Sequence, residues 1–469
     1  MRFLFVLIAT AILQLPAAAQ VTPFAGDWQG KLANTELRLV FHFTETGGVL
    51  SATMDSPDQN MKGLKCDAVT VNGDTITVKL NSAAASYTGV LSADKKTIAG
   101  KWSQRGAAAG LDLAKGVTEA LRPQTPRPPF AYVSEDVEYD NKDKSIHFGG
   151  TFTKPKGTGK FPAVIIISGS GTQDRNGTLF DHQPYFVLAD HLTKNGIAVL
   201  RVDDRGAGKT TLGKDTFQVT SADFANDVEA GIAFLKSRAD VDFKKIGLIG
   251  HSEGGMIAPM VAVRNPSVVF IVLLAGPGQT GEAIWKYQMR NSFVQPNLTA
   301  AHKKLADSLV DQMNDAFKHS TNLPTIQQEM TATYKSWKQN VSDSLEKTLF
   351  KAPIGLSFYQ LANNSKNALH WLHYFINYDP APVLQQVKCP VLAINGEADV
   401  QVVAENNLAG IERALKKGGN KNYTIKAFPQ LNHLFQTTTH PGQSYGAIEE
   451  TFAPAALDFI TQWIRQQTK

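Results

Sequence analysis

From about Gly26 to Gly116, apolar and polar positions alternate over short runs that end in turn residues. "LRLVFHF" (Leu37 to Phe43) carries the alternation, and "TVNGDTITVKL" sets Asn72-Gly73 between two β-branched runs. "LSADKKTIAGKW" reads as a further turn flanked by strands. Asn-Gly suits the positive φ values of a tight hairpin turn, so these runs predict paired strands. Short strands at regular spacing, with no helical period, predict a small barrel or sandwich. Trp28 and Trp102 are expected as its core or rim aromatics, a ligand site between them being the other reading.

"RPQTPRPPF", Arg122 to Phe130, interrupts this texture. Proline fixes φ and lacks an N–H, so the run is a stiff linker that does not continue a sheet. Beyond it the pattern changes. "FPAVIIISG", "GIAVLRVD", "KIGLIGH", "VVFIVLLAG" and "CPVLAING" are compact apolar runs without alternation, which marks strands buried on both faces. Helical patterns such as "HQPYFVLADHLTKNG" and "ADFANDVEAGIAFLKSR" lie between them. Strand and helix in turn predict a parallel α/β sheet with right-handed crossovers.

Between Gly278 and about Pro380 the strand signal lapses. "AHKKLADSLVDQMNDAFK" places Leu305, Leu309, Met313 and Phe317 at steps of four, one face of a helix. A helical insertion ahead of the last strands stands where a lid would sit; most of these side chains are expected to pack the insertion onto the main domain. The expected domains are a β-domain over residues 20–121, a linker over 122–130, and an α/β domain over 131–469.

Composition adds limits. With 43% hydrophobic and 19% charged residues, a chain of 469 suits a globular protein of two or three packing units. A net charge of +5 without a dense Lys/Arg run argues against nucleic acid as a partner. "MRFLFVLIATAILQLPAAAQ" has Arg2, an apolar run from Phe3 to Leu15, and Ala17 to Ala19. That order predicts a signal peptide over residues 1–19 and an exported protein, periplasmic or extracellular. The apolar run falls short of the roughly 20 residues that span a bilayer, and no stable membrane insertion is expected. Cys66 and Cys389 exclude a disulfide framework and are expected as free, mostly buried thiols.

The chemistry gathers around "KKIGLIGHSEGGMIAP". Gly250-His251-Ser252-Glu253-Gly254 follows a buried strand and opens into a helix-compatible segment. The sharp turn between them lifts a serine hydroxyl into the open, and only glycines fit against strand and helix there. A serine hydroxyl needs a base to become a nucleophile, and the partners should follow in the order acid, then histidine. Asp399 in "VLAINGEADV" is the preferred acid, with Glu397 as the alternative. His433 in "FPQLNHLF" is the base, and His440 is expected at the surface. His370 and His373 lack a third ligand and a glutamate, so no metal is expected. An oxyanion hole needs two N–H groups; Glu253 should supply one, and Ser170 in "SGSGTQDRNG" the other, with Gly171 as second choice. "GAGKTT" resembles the end of a phosphate loop, but Asp203 stands where that pattern needs glycine.

"ISGSGTQDRNG", "GIAVLRVDDRGAGKTT", "IGLIGHSEGGMIAP", "INGEADVQVVAENN" and "LNHLFQ" together resemble the bacterial α/β-hydrolase esterases of the EstD type. "GDWQGKL", "ATMDSPDQ" and "IAGKWSQ" extend the resemblance into the β-domain. The resemblance implies an α/β-hydrolase fold, a helical lid, and a serine carboxylesterase without cofactor whose triad falls on Ser252, Asp399 and His433. "DDRGAGK" also resembles a loop of prolyl-oligopeptidase-like and serine-aminopeptidase-like hydrolases, which implies that Asp204 and Arg205 brace the active-site loop. Thr210 stands where serine is expected. The resulting expectation is a secreted esterase acting on a small-molecule ester. The alternatives are an aminopeptidase-like amide hydrolase and a non-catalytic surface-binding protein. Oligomeric state leaves no trace in the pattern.

Overall fold

The structure, a computed structural model, describes residues 23–469 apart from 34, 36, 60, 117–121 and 214–216. The expected signal peptide lies outside the described residues. The described residues divide into two compact units, one within Met1–Ala120 with Leu179–Asp181, the other within Leu121–Thr178 with His182–Lys469.

The first unit contains strands β1 (Gly26–Lys31), β2 (Arg38–Thr46), β3 (Val49–Ser56), β4 (Met61–Lys65) and β5 (Ala68–Asn72). It continues with β6 (Thr75–Leu80), β7 (Ala85–Leu91), β8 (Thr97–Gln104), β9 (Ala107–Gly110) and β10 (Leu113–Lys115). They form one antiparallel sheet in the order β4-β3-β2-β1-β10-β8-β7-β6-β5, with β9 paired to β8. The sheet curls until its ends approach: β4 and β5, at opposite ends of the order, are joined through Cys66, whose N–H bonds the Ala52 carbonyl at 3.1 Å, and Asp67, whose N–H bonds the Lys79 carbonyl at 2.8 Å. Curling lets one sheet bury its own inner face and hide most of its edges. The core is aromatic, with Trp28, Phe41 and Tyr87 fully buried. The Trp28 indole donates to the Phe24 carbonyl at 2.7 Å. Trp102 packs in the same core. Both tryptophans are thus core aromatics.

The second unit holds β11 (Val133–Asp140), β12 (His147–Lys154), β13 (Phe161–Ile167), α1 (Pro184–Lys194), β14 (Ala198–Val202), α2 (Ser221–Ser237), β15 (Val241–His251), α3 (Gly254–Arg264) and β16 (Val268–Leu274). Helices α4 (Gly281–Phe293), α5 (Ala300–His319), α6 (Leu323–Lys338), α7 (Asp343–Leu349), α8 (Ile354–Asn364), α9 (Leu369–Asn377) and α10 (Ala381–Leu384) follow. β17 (Val391–Gly396), α11 (Ala404–Lys417), β18 (Tyr423–Phe428) and α12 (Pro454–Gln467) complete it. The strand order is β11-β12-β14-β13-β15-β16-β17-β18. From β14 to β18 neighbours run parallel, as the apolar runs predict. The sheet also has two strands that the apolar runs do not announce, at one edge, where β12 runs antiparallel to both β11 and β14. β11 and β12 form a hairpin, which needs only a tight turn, whereas parallel neighbours need a crossover. The order is that of the α/β-hydrolase fold.

Both faces of this sheet are covered. Side chains of α2, α3 and α11 pack on one face, and those of α1 and α12 on the other. The proline-rich segment is pinned to this unit by the Gln124 side chain, which donates to the Phe452 carbonyl at 2.7 Å and accepts from Thr451 N–H at 2.6 Å.

Helices α4 to α10 are inserted between β16 and β17. Side-chain caps start four of them: Thr280, Thr299, Asn322 and Ser342 each accept a backbone N–H three residues on. Each such cap satisfies a donor the helix leaves orphaned. On α5, Leu309, Met313 and Phe317 are buried as the stripe predicts, and Leu305 is half-buried. Their neighbours are other inserted side chains, including Ile326, Phe350 and Phe358, so the stripe closes a core of the insertion's own. That corrects the expectation that it packs against the main domain. The insertion is long enough to bury an apolar face internally. Cys66 and Cys389 are free, the first buried and the second half-buried. Among the described residues no helix is long and apolar enough to cross a membrane.

Candidate active site

Ser252 sits in the turn between β15 and α3 with φ of +53°, left-handed backbone that a residue with a Cβ adopts at a cost of about 1–3 kcal/mol. Its N–H is held by the Leu274 carbonyl at 2.8 Å. Two glycines make the turn possible. A Cβ on Gly250 would stand 2.0 Å from the Gly254 carbonyl oxygen, and one on Gly254 would stand 2.4 Å from that of Ile167. Strand, turn and helix therefore approach at backbone distance, and Ser252 stays half-buried.

Asp399 lies in the loop after β17 and His433 in the loop after β18. The two loops are joined, since Ala398 N–H bonds the Leu431 carbonyl at 3.0 Å. Asp399 Oδ2 accepts from His433 Nδ1 at 2.7 Å. Oδ1 accepts the N–H groups of Gln401 at 2.7 Å and Val402 at 3.0 Å. These three bonds satisfy a carboxyl group that burial removes from water. The alternative acid, Glu397, is exposed. The sequence reading missed Asn432, whose Oδ1 accepts the N–H groups of Leu434 and Gln436, both at 3.0 Å, and so shapes the turn that presents His433. Among the described residues no hydrogen bond joins Ser252 Oγ to His433, a contact that is commonly long until substrate binds. His251, the residue before Ser252, packs against His433 with ring centroids 4.9 Å apart and the ring planes tilted by 46°.

The loop after β13 passes close to Ser252. A Cβ on Gly169 would stand 3.2 Å from the Ser252 Cβ, which puts Ser170 next to the turn. Glu253 opens α3, where unpaired N–H groups and the helix dipole favour negative charge. Asp204 braces the loop: Oδ1 accepts from the Ser168 hydroxyl at 2.6 Å and Oδ2 from Gln173 N–H at 2.8 Å. Arg205 pairs instead with Asp227 through bonds of 2.7 Å. Thr210 Oγ1 accepts Gly149 N–H at 3.0 Å, and Lys209 pairs with Glu138 at 2.6 Å.

The side chain of Glu253, whose N–H is the expected oxyanion donor, is itself buried. Oε1 accepts from the Ser221 hydroxyl at 2.6 Å and from the Trp371 indole, on inserted helix α9, at 2.7 Å. Burial raises its pKa, the bonds to Ser221, Trp371 and Ser170 opposing. Burial likewise pushes Asp204 up to about 7. No sequence period signals such partners, because they come from α2 and α9, remote along the chain. Both carboxyls border a cavity of about 460 Å³ whose wall also includes Gly169, Phe148, Phe224 and Trp371.

His440 is exposed, and His370 and His373 are half-buried on α9. His373 Nδ1 lies 3.2 Å from the Phe317 carbonyl. Among the described residues no group of three or more His, Cys, Asp or Glu is placed to hold a metal ion.

Comparison with known proteins adds a family. Esterase EstD of Thermotoga maritima is 24% identical over 297 residues, 63% of this chain. The chain spans 60% of EstD's length. A monoglyceride lipase homolog of monkeypox virus is 20% identical over 221 residues, 46% of this chain and 77% of that protein. Among solved structures, the Pyrococcus furiosus esterase Pf2001 matches at 16% identity with a TM-score of 0.42, over 71% of this chain and 93% of that one. Acetyl xylan esterase 1 from Thermoanaerobacterium matches at 15% identity and a TM-score of 0.40, over 74% and 86% of the two chains. The family described as serine aminopeptidase, S33, matches residues 181–437, more than half of the chain, and the protein belongs to that α/β-hydrolase family.

Proposed function

We propose that the protein is an exported serine carboxylesterase that works through an acyl-enzyme. The observation that carries this reading is a strained, half-buried Ser252 whose neighbour His251 bonds the His433 carbonyl at 3.0 Å, His433 in turn being paired with buried Asp399. Ser252, Asp399 and His433 all stand in loops that follow strands of the sheet. Ser252 Oγ attacks the ester carbonyl while His433 takes its proton. Asp399 holds the Nδ1–H and stabilises the imidazolium. The N–H groups of Glu253 and Ser170 receive the oxyanion. His433 then protonates the leaving alcohol, and a water that it deprotonates releases the acid and regenerates Ser252.

The cavity, whose wall includes Gly169 and Glu253 beside Ser252 but not Ser252 or His433 themselves, takes the acyl group. Phe148, Phe224 and Trp371 offer it apolar walls, which favours a short or medium chain over acetate. The inserted helices act as a lid, a role supported by the place of Trp371 on the cavity wall. Export rests on the pattern of the first nineteen residues.

A second reading, hydrolysis of an aminoacyl amide, is favoured by one observation. Asp204 and Glu253 set two carboxyls on the cavity wall, where a substrate amine would find acceptors. Turnover of p-nitrophenyl esters of rising chain length, set against aminoacyl p-nitroanilides, separates the two. With Ser252→Ala as the blank, serine-dependent ester turnover supports the esterase. Anilide turnover without ester preference replaces it with the peptidase, and inactivity on both rejects hydrolysis of either class.

A further inference from the structure

The ring of His251 is buried with both nitrogens engaged. Nε2 lies 3.0 Å from the His433 carbonyl oxygen, and Nδ1 lies 3.1 Å from Tyr185 Oη. A carbonyl only accepts, so Nε2 carries the ring proton. In a neutral imidazole Nδ1 is then an acceptor, and Tyr185 must donate its O–H to it. The Tyr185 oxygen keeps lone pairs for one more donor, and Gly169 N–H supplies it at 3.2 Å. One end group thus orients every proton in the chain from Gly169 through Tyr185 and His251 to His433. Burial, with the neighbouring His433 adding to it, pushes His251 down to about 3, so the ring keeps this one tautomer at neutral pH.

The chain crosses the site without entering the reaction. Gly169 precedes Ser170, His251 precedes Ser252, and the carbonyl at the far end belongs to His433. We infer that Tyr185 and His251 are positioning residues that hold the oxyanion loop and the loop of the general base at a fixed separation around the nucleophile. This rests on the roles proposed above for Ser170, Ser252 and His433. Neither side chain needs to touch substrate. Their effect is on alignment, where a displacement of about 1 Å costs up to 100-fold in rate.

The test uses the full chain, p-nitrophenyl acetate, and a trifluoromethyl ketone whose adduct places an oxyanion on the attacked carbon. Tyr185→Phe keeps the ring and removes two of the bonds. The expected result is a kcat lower by about 10-fold to 100-fold with KM within about twofold, from misalignment alone. The ketone's affinity should fall by the same factor as kcat/KM, since both read the oxyanion hole. A variant that melts earlier but keeps kcat and ketone affinity at temperatures below its transition overturns the inference. His251→Gln keeps a donor near the Nε2 position and decides the matter if Tyr185→Phe does not fold. It should retain more activity than His251→Ala, and equal loss in the two counts against the inference. A wild-type rate that does not depend on Ser252 removes the proposed function and this inference together. A Ser252-dependent rate untouched by Tyr185→Phe removes the inference alone.

Discussion

Asp58 in the first unit and Glu253 in the second are both buried acids, but they have different company. Asp58 accepts from the Arg38 guanidinium, with Nε at 3.0 Å and a terminal nitrogen at 2.5 Å, and from the Arg38 N–H at 2.6 Å. Arg38 also reaches Asp181 of the same unit at 2.5 Å. Glu253 meets the neutral donors Ser221 and Trp371, at the rim of a cavity. Charge closed upon charge inside a core has little left to offer a ligand, and its main effect is on folding. A carboxyl held by neutral donors beside open space stays responsive to what enters that space. Asp399 stands between the two, since its partner His433 is charged only part of the time during the proposed reaction.

The contrast can be broken in several places. Ser252→Ala should lower kcat on p-nitrophenyl esters by about 10⁴-fold to 10⁶-fold with the fold intact by circular dichroism. A loss of only a few-fold would move the nucleophile elsewhere. Asp399→Asn should cost about 10⁴-fold in kcat, because the amide stabilises the wrong imidazole tautomer. Glu397→Gln, at an exposed position, should stay within about twofold in the same assay. If the two exchange places, the acid has been misassigned. In the first unit, Asp58→Asn leaves Arg38 short of a counter-charge. With Asp181 still present, it should cost about 3 kcal/mol in thermal or denaturant unfolding and leave kcat unchanged below the transition. An unchanged melting curve would show that the pair is neutral for stability. Trp371→Phe keeps the ring and removes one donor to Glu253. An effect of about 1 kcal/mol on kcat/KM is expected, larger for longer acyl esters than for acetate. Equal effects on all chain lengths would separate Trp371 from the cavity's role in acyl binding.

Much of the scaffold was legible because it follows local rules. The apolar runs at β13 to β17 advertise strands with two buried faces, and the glycines around Ser252 advertise a turn with no room for a Cβ. β11 and β12 were harder to see. β11 is "VSEDVEYD", an edge strand whose outward positions are Ser134 and three acids, and β12 contains adjacent glycines that weaken strand propensity. The period-two alternation of β11 was the available signal. The α5 stripe announced a helix without naming its partner, which turned out to be the rest of the insertion.

Sequence order and residue type were enough to nominate Ser252, Asp399 and His433 as the candidate triad, because a serine nucleophile needs a base and the base needs an acid, and few positions in the right order offer them. Tertiary structure decided the rest: that the Glu253 carboxyl turns inward to Ser221 and Trp371, that Asp204 grips the loop after β13, and that Tyr185 and His251 span from Gly169 to His433. The physical reason is range. Strand period, turn chemistry and motif spacing act over a few residues. A side-chain hydrogen bond depends on the direction in which folded elements, 118 positions apart for Glu253 and Trp371 and 182 for His251 and His433, present their donors.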